Sequence, residues 1–512
     1  MEIWLAILCS LCIAAVIKAL FQFHFPSRGP HRNLPPGPAT FPIVGNFLWV
    51  GKSFLEIELA LRNLHQKLGP MVTLHIGHHP AIFVTDRSLI HQALVQNGAV
   101  FADRPPALAT DKILSSNQHT INTAPYGPTW RSLRRNLTAE MLSPSRIKSY
   151  SHARIWVLEI LKERLKSKVS TDEAVLVVEH LRYAMFCLLV LMCFGDKLDE
   201  NQIKQIEDAQ RRMLLGQVKF NVLNFWPRMA RILFYKRWEE FLQIHRNREE
   251  IFIPLIRARK SKAKEDKERK EDEHENVLSY VDTLLDLQLP DEKRKLDEHE
   301  IVSLCSEFLD GGTDTTATAL QWIMANLVKY PDIQENLFME IKRVVGERKE
   351  EVIREDELHK MPYLKAVILE GLRRHPPGHF VLPHRVTEDV VLNGFLVPRN
   401  GTVNFLIGQM GWDPNVWEDP MAFKPERFLN GSQELLDITG SKEIKMMPFG
   451  AGRRFCPGYS LATLHLEYFV ANLVWCFEWK AVQGDDIDLS EKEEFTVVMK
   501  FPLQARIYPR TK

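Results

Sequence analysis

The chain has 512 residues, beyond the length at which a single compact core usually stops growing, so one large or two unequal lobes with room for a deep pocket are expected. Apolar residues at 45% and charged residues at 26% are ordinary globular values, and a net charge of +1 excludes a general electrostatic case for nucleic acid, so any basic patch has to be local. Seven cysteines, an odd number, exclude a complete disulfide framework.

In chain order, Ile3 to Phe21 is almost continuously apolar, broken by Ser10 and Lys18. That is close to the roughly 20 residues a membrane helix needs. Glu2 precedes the run and Arg28 and Arg32 follow it, an asymmetry that favours an uncleaved anchor with the body on the cytoplasmic side over a cleaved signal peptide. Residues 1–24 are therefore expected to form the anchor. Cys9 and Cys12 have CxxC spacing but sit inside this apolar run without polar neighbours, and read as small lipid-compatible residues. Residues 25–45 carry Pro26, Pro30, Pro35, Pro36, Pro38 and Pro42, whose fixed φ angles predict a stiff, extended strap.

"MVTLHIGHHPAIFVTD", Met71 to Asp86, predicts a hairpin, with Asp86 capping a helix that runs toward Asn97. From about Ser143 to Val345 helical periodicity dominates, so the major lobe is expected to be α. Cys187 and Cys193 fall in one apolar helical stretch of it. The mixed-charge run from Arg257 to Glu275 reads as a solvated helix end or surface loop without chemistry. Val390 to Ile407, "VVLNGFLVPRNGTVNFLI", predicts paired short strands turning at Asn393-Gly394 and Asn400-Gly401.

Four groups of residues carry chemistry. Trp130 and Arg134 stand i and i+4 on one helix; alone they read as a solvated basic face. "FLDGGTDTTATALQW", Phe308 to Trp322, lies in a helical pattern from about Asp297 to Tyr330, and Gly311 and Gly312 in its middle cost about 1 kcal/mol each relative to alanine. Close approach of the helix to a ligand is the simplest use for them, with a local widening where Thr315 bonds the Gly311 carbonyl. Glu370 and Arg373 share a helix face; as an isolated surface pair they would contribute a few tenths of a kcal/mol. The fourth group is "FGAGRRFCPG", Phe449 to Gly458, where Cys456 is an inert core thiol, a nucleophile or one bond of a metal site. A zinc or iron–sulfur site wants about four ligands, yet the nearest downstream histidine is His465. Gly450, Gly452 and Gly458 allow the backbone to lie against a flat ligand, and Arg453 and Arg454 bring cations toward the sulfur.

Phe449, Gly452, Arg454, Cys456 and Gly458 match FxxGxRxCxG, and the chain resembles the cytochrome P450 family on these five positions. The Phe308–Trp322 segment resembles the family's central helix, with Gly311 where alanine is common, and "LEGLRRHPP" resembles its ExxR element. The resemblance runs from "LPPGP" at Leu34 to beyond Leu461, and "PERF" with the threonine-rich run is similar to the plant microsomal branch near families 77 and 89.

The resemblance implies a mainly α fold, a large helical lobe with a small β-rich one, with haem b between the central helix and the cysteine-loop helix. Residues 46–512 would be the haem-thiolate catalytic domain. Cys456 would be the axial thiolate, Phe449 would pack by the sulfur and Gly458 would complete the loop. Arg454, Trp130, Arg134 and His384 would serve the haem propionates. Asp314 and Thr315 would form the proton relay, and Glu370, Arg373 and Arg427 a buried network bracing the loop.

The implied activity is a monooxygenase inserting one atom of O2 into a lipophilic small molecule by hydroxylation or epoxidation, in the endoplasmic reticulum membrane. Its electrons would come from NADPH through a flavoprotein reductase docking near Arg131, Arg135, Lys442 and Lys445. Substrate contacts would come from Phe101–Pro125, Gly216–Trp226, Phe308, Pro377–Val381 and Phe495–Met499. A haem-thiolate isomerase or dehydratase, and a haem-binding protein without turnover, are the competing readings.

Overall fold

The computed structural model describes residue 10 and residues 12–16, 33–38, 54–76, 79–169, 173–224, 227–269, 278–346, 352–429, 437–482 and 486–510. The expected anchor therefore lies mostly outside the described residues, as does most of the proline strap; Cys12 to Val16 are helical, with Ile13 and Val16 exposed. The chain divides into two compact units: Met1–Pro105 with His379–Met410 and Asp437–Arg454, and Pro106–Gly378 with Gly411–Leu436 and Phe455–Lys512.

The first unit is built on a small sheet. Strands β1 (Met71–Ile76) and β2 (His79–Val84) pair antiparallel, as their alternation predicts. Asp86 caps the following helix, its side chain accepting from the N–H of Ser88 and Leu89. Later in the chain come β3 (His384–Arg385), β4 (Val390–Leu392), β5 (Phe395–Val397) and β6 (Thr402–Phe405). Asn393 and Gly394 both take positive φ, 50° and 77°, and close the β4–β5 hairpin. The second expected hairpin does not form. The Asn400-Gly401 turn instead delivers β6 to β2, which it joins in parallel, with β3 on its other side in the order β1-β2-β6-β3. Buried Ile82, Val84, Phe101, Val403, Phe405, Met447 and Ala451 form this unit's core, which accounts for Phe101 at the start of an expected substrate loop.

The second unit is mainly helical. Its axis is the helix Glu298–Lys329, within one residue of the predicted span, begun by a capping box between Asp297 and Glu300. The apolar helix Val177–Phe194 is long enough to cross a membrane, but most of its surface is buried against neighbouring helices, so it is a core element; Cys187 and Cys193 are buried in it. The charge run continues the helix Tyr235–Arg269, and residues 270–277 lie outside the description. Arg259 within that run is buried and pairs with Asp282 at 2.6 Å, so one of its charges holds two helices together.

Gly311 and Gly312 have different tasks, and the expected widening is absent, because the helix is regular α throughout. A Cβ at Gly312 would lie 2.8 Å from Leu189 Cδ1, so this glycine admits the Val177–Phe194 helix rather than a ligand; at Gly311 nothing lies within 4 Å. Gly311→Ala is expected to gain up to about 1 kcal/mol of helix propensity. For Gly312→Ala that gain meets an overpacking penalty of roughly 1–3 kcal/mol. Thermal unfolding of the two variants should rank Gly311→Ala above and Gly312→Ala below the wild type; the reverse order would contradict these assignments.

Candidate active site

Cys456 begins a turn that leads directly into the helix Tyr459–Cys476. Burial pushes its thiol pKa up, against the backbone N–H groups of Gly458 and Tyr459 and the Arg134 guanidinium, which favour the anion. The sulfur thus faces the positive end of a long helix. Gly458 has an ordinary φ of −83°, and a Cβ there would lie 3.9 Å from the sulfur. Its use is therefore the N–H it turns to the thiol rather than backbone freedom.

Arg134 lies on the helix Pro128–Asn136, and its Nη2 donates to the Phe455 carbonyl at 2.5 Å, tying this helix to the residue before the cysteine. Trp130, one turn earlier and buried, holds its ring 5.8 Å from the Arg134 guanidinium and 5.2 Å from the Tyr126 ring. Trp130 and Arg134 are thus brought together as the i, i+4 spacing predicts, and Arg134 ties their helix to the cysteine loop.

On the central helix, Thr315 Oγ1 donates to the Gly311 carbonyl at 2.7 Å, which leaves its lone pairs to accept from a water or a ligand. Asp314 is buried, and its Oδ1 accepts from Arg182 Nε at 3.2 Å and Arg211 Nη1 at 3.0 Å. Arg211 also reaches Glu494 at 3.4 Å, on the turn after the strand Glu491–Glu493. Neither arginine stands out in the sequence, since nothing local distinguishes it from a surface charge. Asp310 went equally unsignalled: it is half-buried, with its pKa driven up by desolvation, and takes the Gln210 amide at 2.7 Å. Phe308, expected among the substrate contacts, packs its ring on Tyr280 at 5.0 Å.

The first unit positions the other predicted residues. Gly452 takes φ 70°, and a Cβ on it would fall 1.9 Å from the Leu94 carbonyl oxygen. Arg454 Nε donates to the Ala102 carbonyl at 2.8 Å, and half-buried Phe449 precedes the turn at Gly450. His384 is buried, with Nδ1 2.6 Å from the Phe101 carbonyl. Burial first, then Arg104 and Arg454, press its pKa down to about 3, so it is neutral, with the proton on Nδ1 toward the Phe101 carbonyl and Nε2 left as an acceptor. It can donate to a carboxylate through Nε2 only as imidazolium, a form that the carboxylate's own charge would favour. Arg104 was not singled out by sequence; it donates to the carbonyls of Leu382 and Pro383 at 3.0 and 2.8 Å.

Cys456 at the start of one helix and Thr315 on the long helix of the same unit carry the motifs of a haem-thiolate oxygenase, and the chain belongs to the cytochrome P450 family, whose model matches residues 35–506. It is a cytochrome P450 monooxygenase of the plant type, near family 89. It is 53% identical to Cytochrome P450 89A9 of Arabidopsis thaliana, over 99% of this chain and 98% of that one. Phenylacetaldehyde oxime monooxygenase CYP71AN24 of Prunus mume is 30% identical, over 96% of this chain and 93% of its own length. In fold, the chain is similar to a zebrafish cytochrome P450 solved with progesterone, at TM-score 0.72 and 22% identity, covering 89% of this chain and 99% of that one. The family implies a haem held by a cysteine thiolate. The residues present suit one: Cys456 stands at a helix start with the N–H groups of Gly458 and Tyr459 and the Arg134 guanidinium on its sulfur, the donor set a thiolate ligand needs.

Proposed function

We propose that Cys456 is the axial haem ligand and that the enzyme inserts one atom of O2 into a lipophilic small molecule, with electrons from NADPH delivered by a flavoprotein reductase at the endoplasmic reticulum membrane. The observation that carries this reading is the thiol's setting: two backbone N–H groups and one guanidinium favour its anion against burial. When bound, the haem supplies oxygen activation, and thiolate ligation favours O–O cleavage.

The remaining chemistry belongs to the chain. Arg182 and Arg211 hold the Asp314 carboxylate in a fixed orientation, from which it orders the water that carries protons. Thr315, its own proton committed to Gly311, accepts from water and orders it beside the helix. His384, Arg454 and Arg104 supply the cationic or protonatable groups of the first unit suited to haem carboxylates, with Trp130 and Arg134 bracing the cysteine loop. Asp314 and Thr315 weigh against an isomerase or dehydratase, which would not need a proton relay.

Membrane attachment is supported by a second apolar surface besides the N-terminal run. The helix Pro227–Leu233 leaves Met229, Ile232 and Leu233 exposed, with Arg228, Lys236 and Arg237 close by in the chain, the composition of a segment lying on anionic lipid. For the reductase, the candidate docking cations, each unit taken by itself, are exposed Arg131 and Arg135 in the helical unit and exposed Lys442 and Lys445 in the first unit.

Thr315→Ala tests the relay. Removing one acid–base group is expected to lower product formed per NADPH consumed by about an order of magnitude or more, with peroxide rising in step. Side-by-side assay of NADPH, peroxide and product checks this, and coupling equal to wild type would remove Thr315 from the relay.

A further inference from the structure

We propose that Glu307 is a positioning residue: its carboxylate clamps the 115–124 segment onto the central helix and so limits the size of ligand that enters. The inference rests on the monooxygenase reading. The backbone N–H of Ile121 donates to Glu307 Oε2 at 2.8 Å and that of Asn122 to Oε1 at 2.6 Å, so both oxygens of one side chain hold two successive amides. The same helix holds the segment at two more points. Ser303 Oγ meets Ser116 Oγ at 2.8 Å, and Glu300 meets His119 Nδ1 at 2.5 Å. Positions 300, 303 and 307 follow i, i+3, i+7 spacing, hence one stripe of the helix.

The segment needs holding. Ser116, Asn117 and Gln118 have φ of 46°, 58° and 69°, three successive left-handed residues with side chains. L-residues disfavour that conformation, and a run of them persists only when the surroundings impose it. Within the segment, the Gln118 side chain bonds Ala107 N and Thr123 O, and Thr120 and Thr123 share a hydroxyl bond at 2.8 Å. The strained turn is thus a preformed unit whose docking depends on a few side chains of the central helix. Glu307, Gly311 and Thr315 are spaced by four, so the clamp lies on the stripe that continues to the open position at Gly311 and to the relay threonine. The clamped amides therefore sit one helical turn from the open position at Gly311, and one substitution at Glu307 removes the acceptor of both.

The test compares wild-type holoenzyme with Glu307→Gln, which turns one acceptor into a donor facing a donor, and with Glu307→Asp, which keeps the charge on a shorter stem. Rapid mixing measures binding of imidazole, a small haem ligand, and clotrimazole, a bulky one. Hydrogen–deuterium exchange is read at Ile121 and Asn122. For Glu307→Gln the clotrimazole association rate is expected to rise at least about five-fold, with imidazole within about two-fold of wild type, because only the larger ligand has to wait for the segment to open. Exchange at the two amides should speed up as well, and Glu307→Asp should fall between Gln and wild type. Equal changes for both azoles, an unchanged ratio, or unchanged exchange would overturn the clamp. A wild-type protein lacking the thiolate-type spectrum of its reduced carbon monoxide complex would instead sink the monooxygenase reading, while the exchange data would still judge the clamp.

Discussion

Glu370→Ala is expected to lower the free energy of unfolding by about 3–5 kcal/mol, the usual cost of stranding a buried charge. Glu370 and Arg373 are fully buried, and the carboxylate takes Arg373 Nε at 2.6 Å, Arg373 Nη2 at 2.8 Å and Arg427 Nε at 3.1 Å. It also accepts the N–H of Lys424 at 2.8 Å. Arg373 in turn donates to the carbonyls of Gly411, Pro420 and Ala422, so the pair joins the helix Pro362–Arg374 to the 411–427 segment. Two guanidinium groups lose their counter-charge in the variant, and that of Arg373, fully buried, cannot reach water where it stands. Urea denaturation measures the loss. An apolar replacement of both Glu370 and Arg373 should not restore stability, because those three carbonyls would then lose their donor. A Glu370→Ala loss below about 1 kcal/mol, the range of an exposed pair, would show that the network is not structural.

Gly452→Ala is expected to be nearly as damaging, for two separable reasons. Left-handed φ disfavours a side chain by about 1–2 kcal/mol. The new Cβ would also sit 1.9 Å from the Leu94 carbonyl oxygen, a backbone atom that cannot rotate aside, and overpacking of that kind costs roughly 1–3 kcal/mol. The loop that carries Cys456 starts here, so haem retention after purification should fall together with the urea midpoint. Gly450→Ala is the control: its φ is 72°, but its nearest neighbour is Val381 Cγ1 at 3.8 Å, so only the conformational cost applies. If both variants lose the same amount, the close approach to Leu94 has no energetic role.

These two glycines also show how much was legible. The ten-residue cysteine loop, the span of the central helix and the Glu370–Arg373 pair are written in local spacing, where a motif and a helical period determine geometry together, while Arg427 joined that pair only through the family resemblance. What escaped depends on distant partners. Arg182 and Arg211 lie 132 and 103 residues before the aspartate they hold, and on helices where an arginine ordinarily faces water. The strand Thr402–Phe405 was legible as a strand but not as the parallel neighbour of β2, since pairing across more than 300 residues leaves no local mark. Gly311 and Gly312 are adjacent and chemically identical, yet one faces open space and the other Leu189, a difference set by the helix that packs there. Glu307 reads as any helical glutamate until the amides of Ile121 and Asn122 are found on it.

The central claim is that the Cys456 sulfur holds a haem iron. The reduced, carbon-monoxide-bound spectrum of the purified wild type and of Cys456→His tests it most directly. The wild type is expected to give the red-shifted Soret band of thiolate ligation, and the histidine variant a band of the nitrogen-ligated type or no bound haem. A thiolate-type band persisting in Cys456→His would contradict the assignment outright.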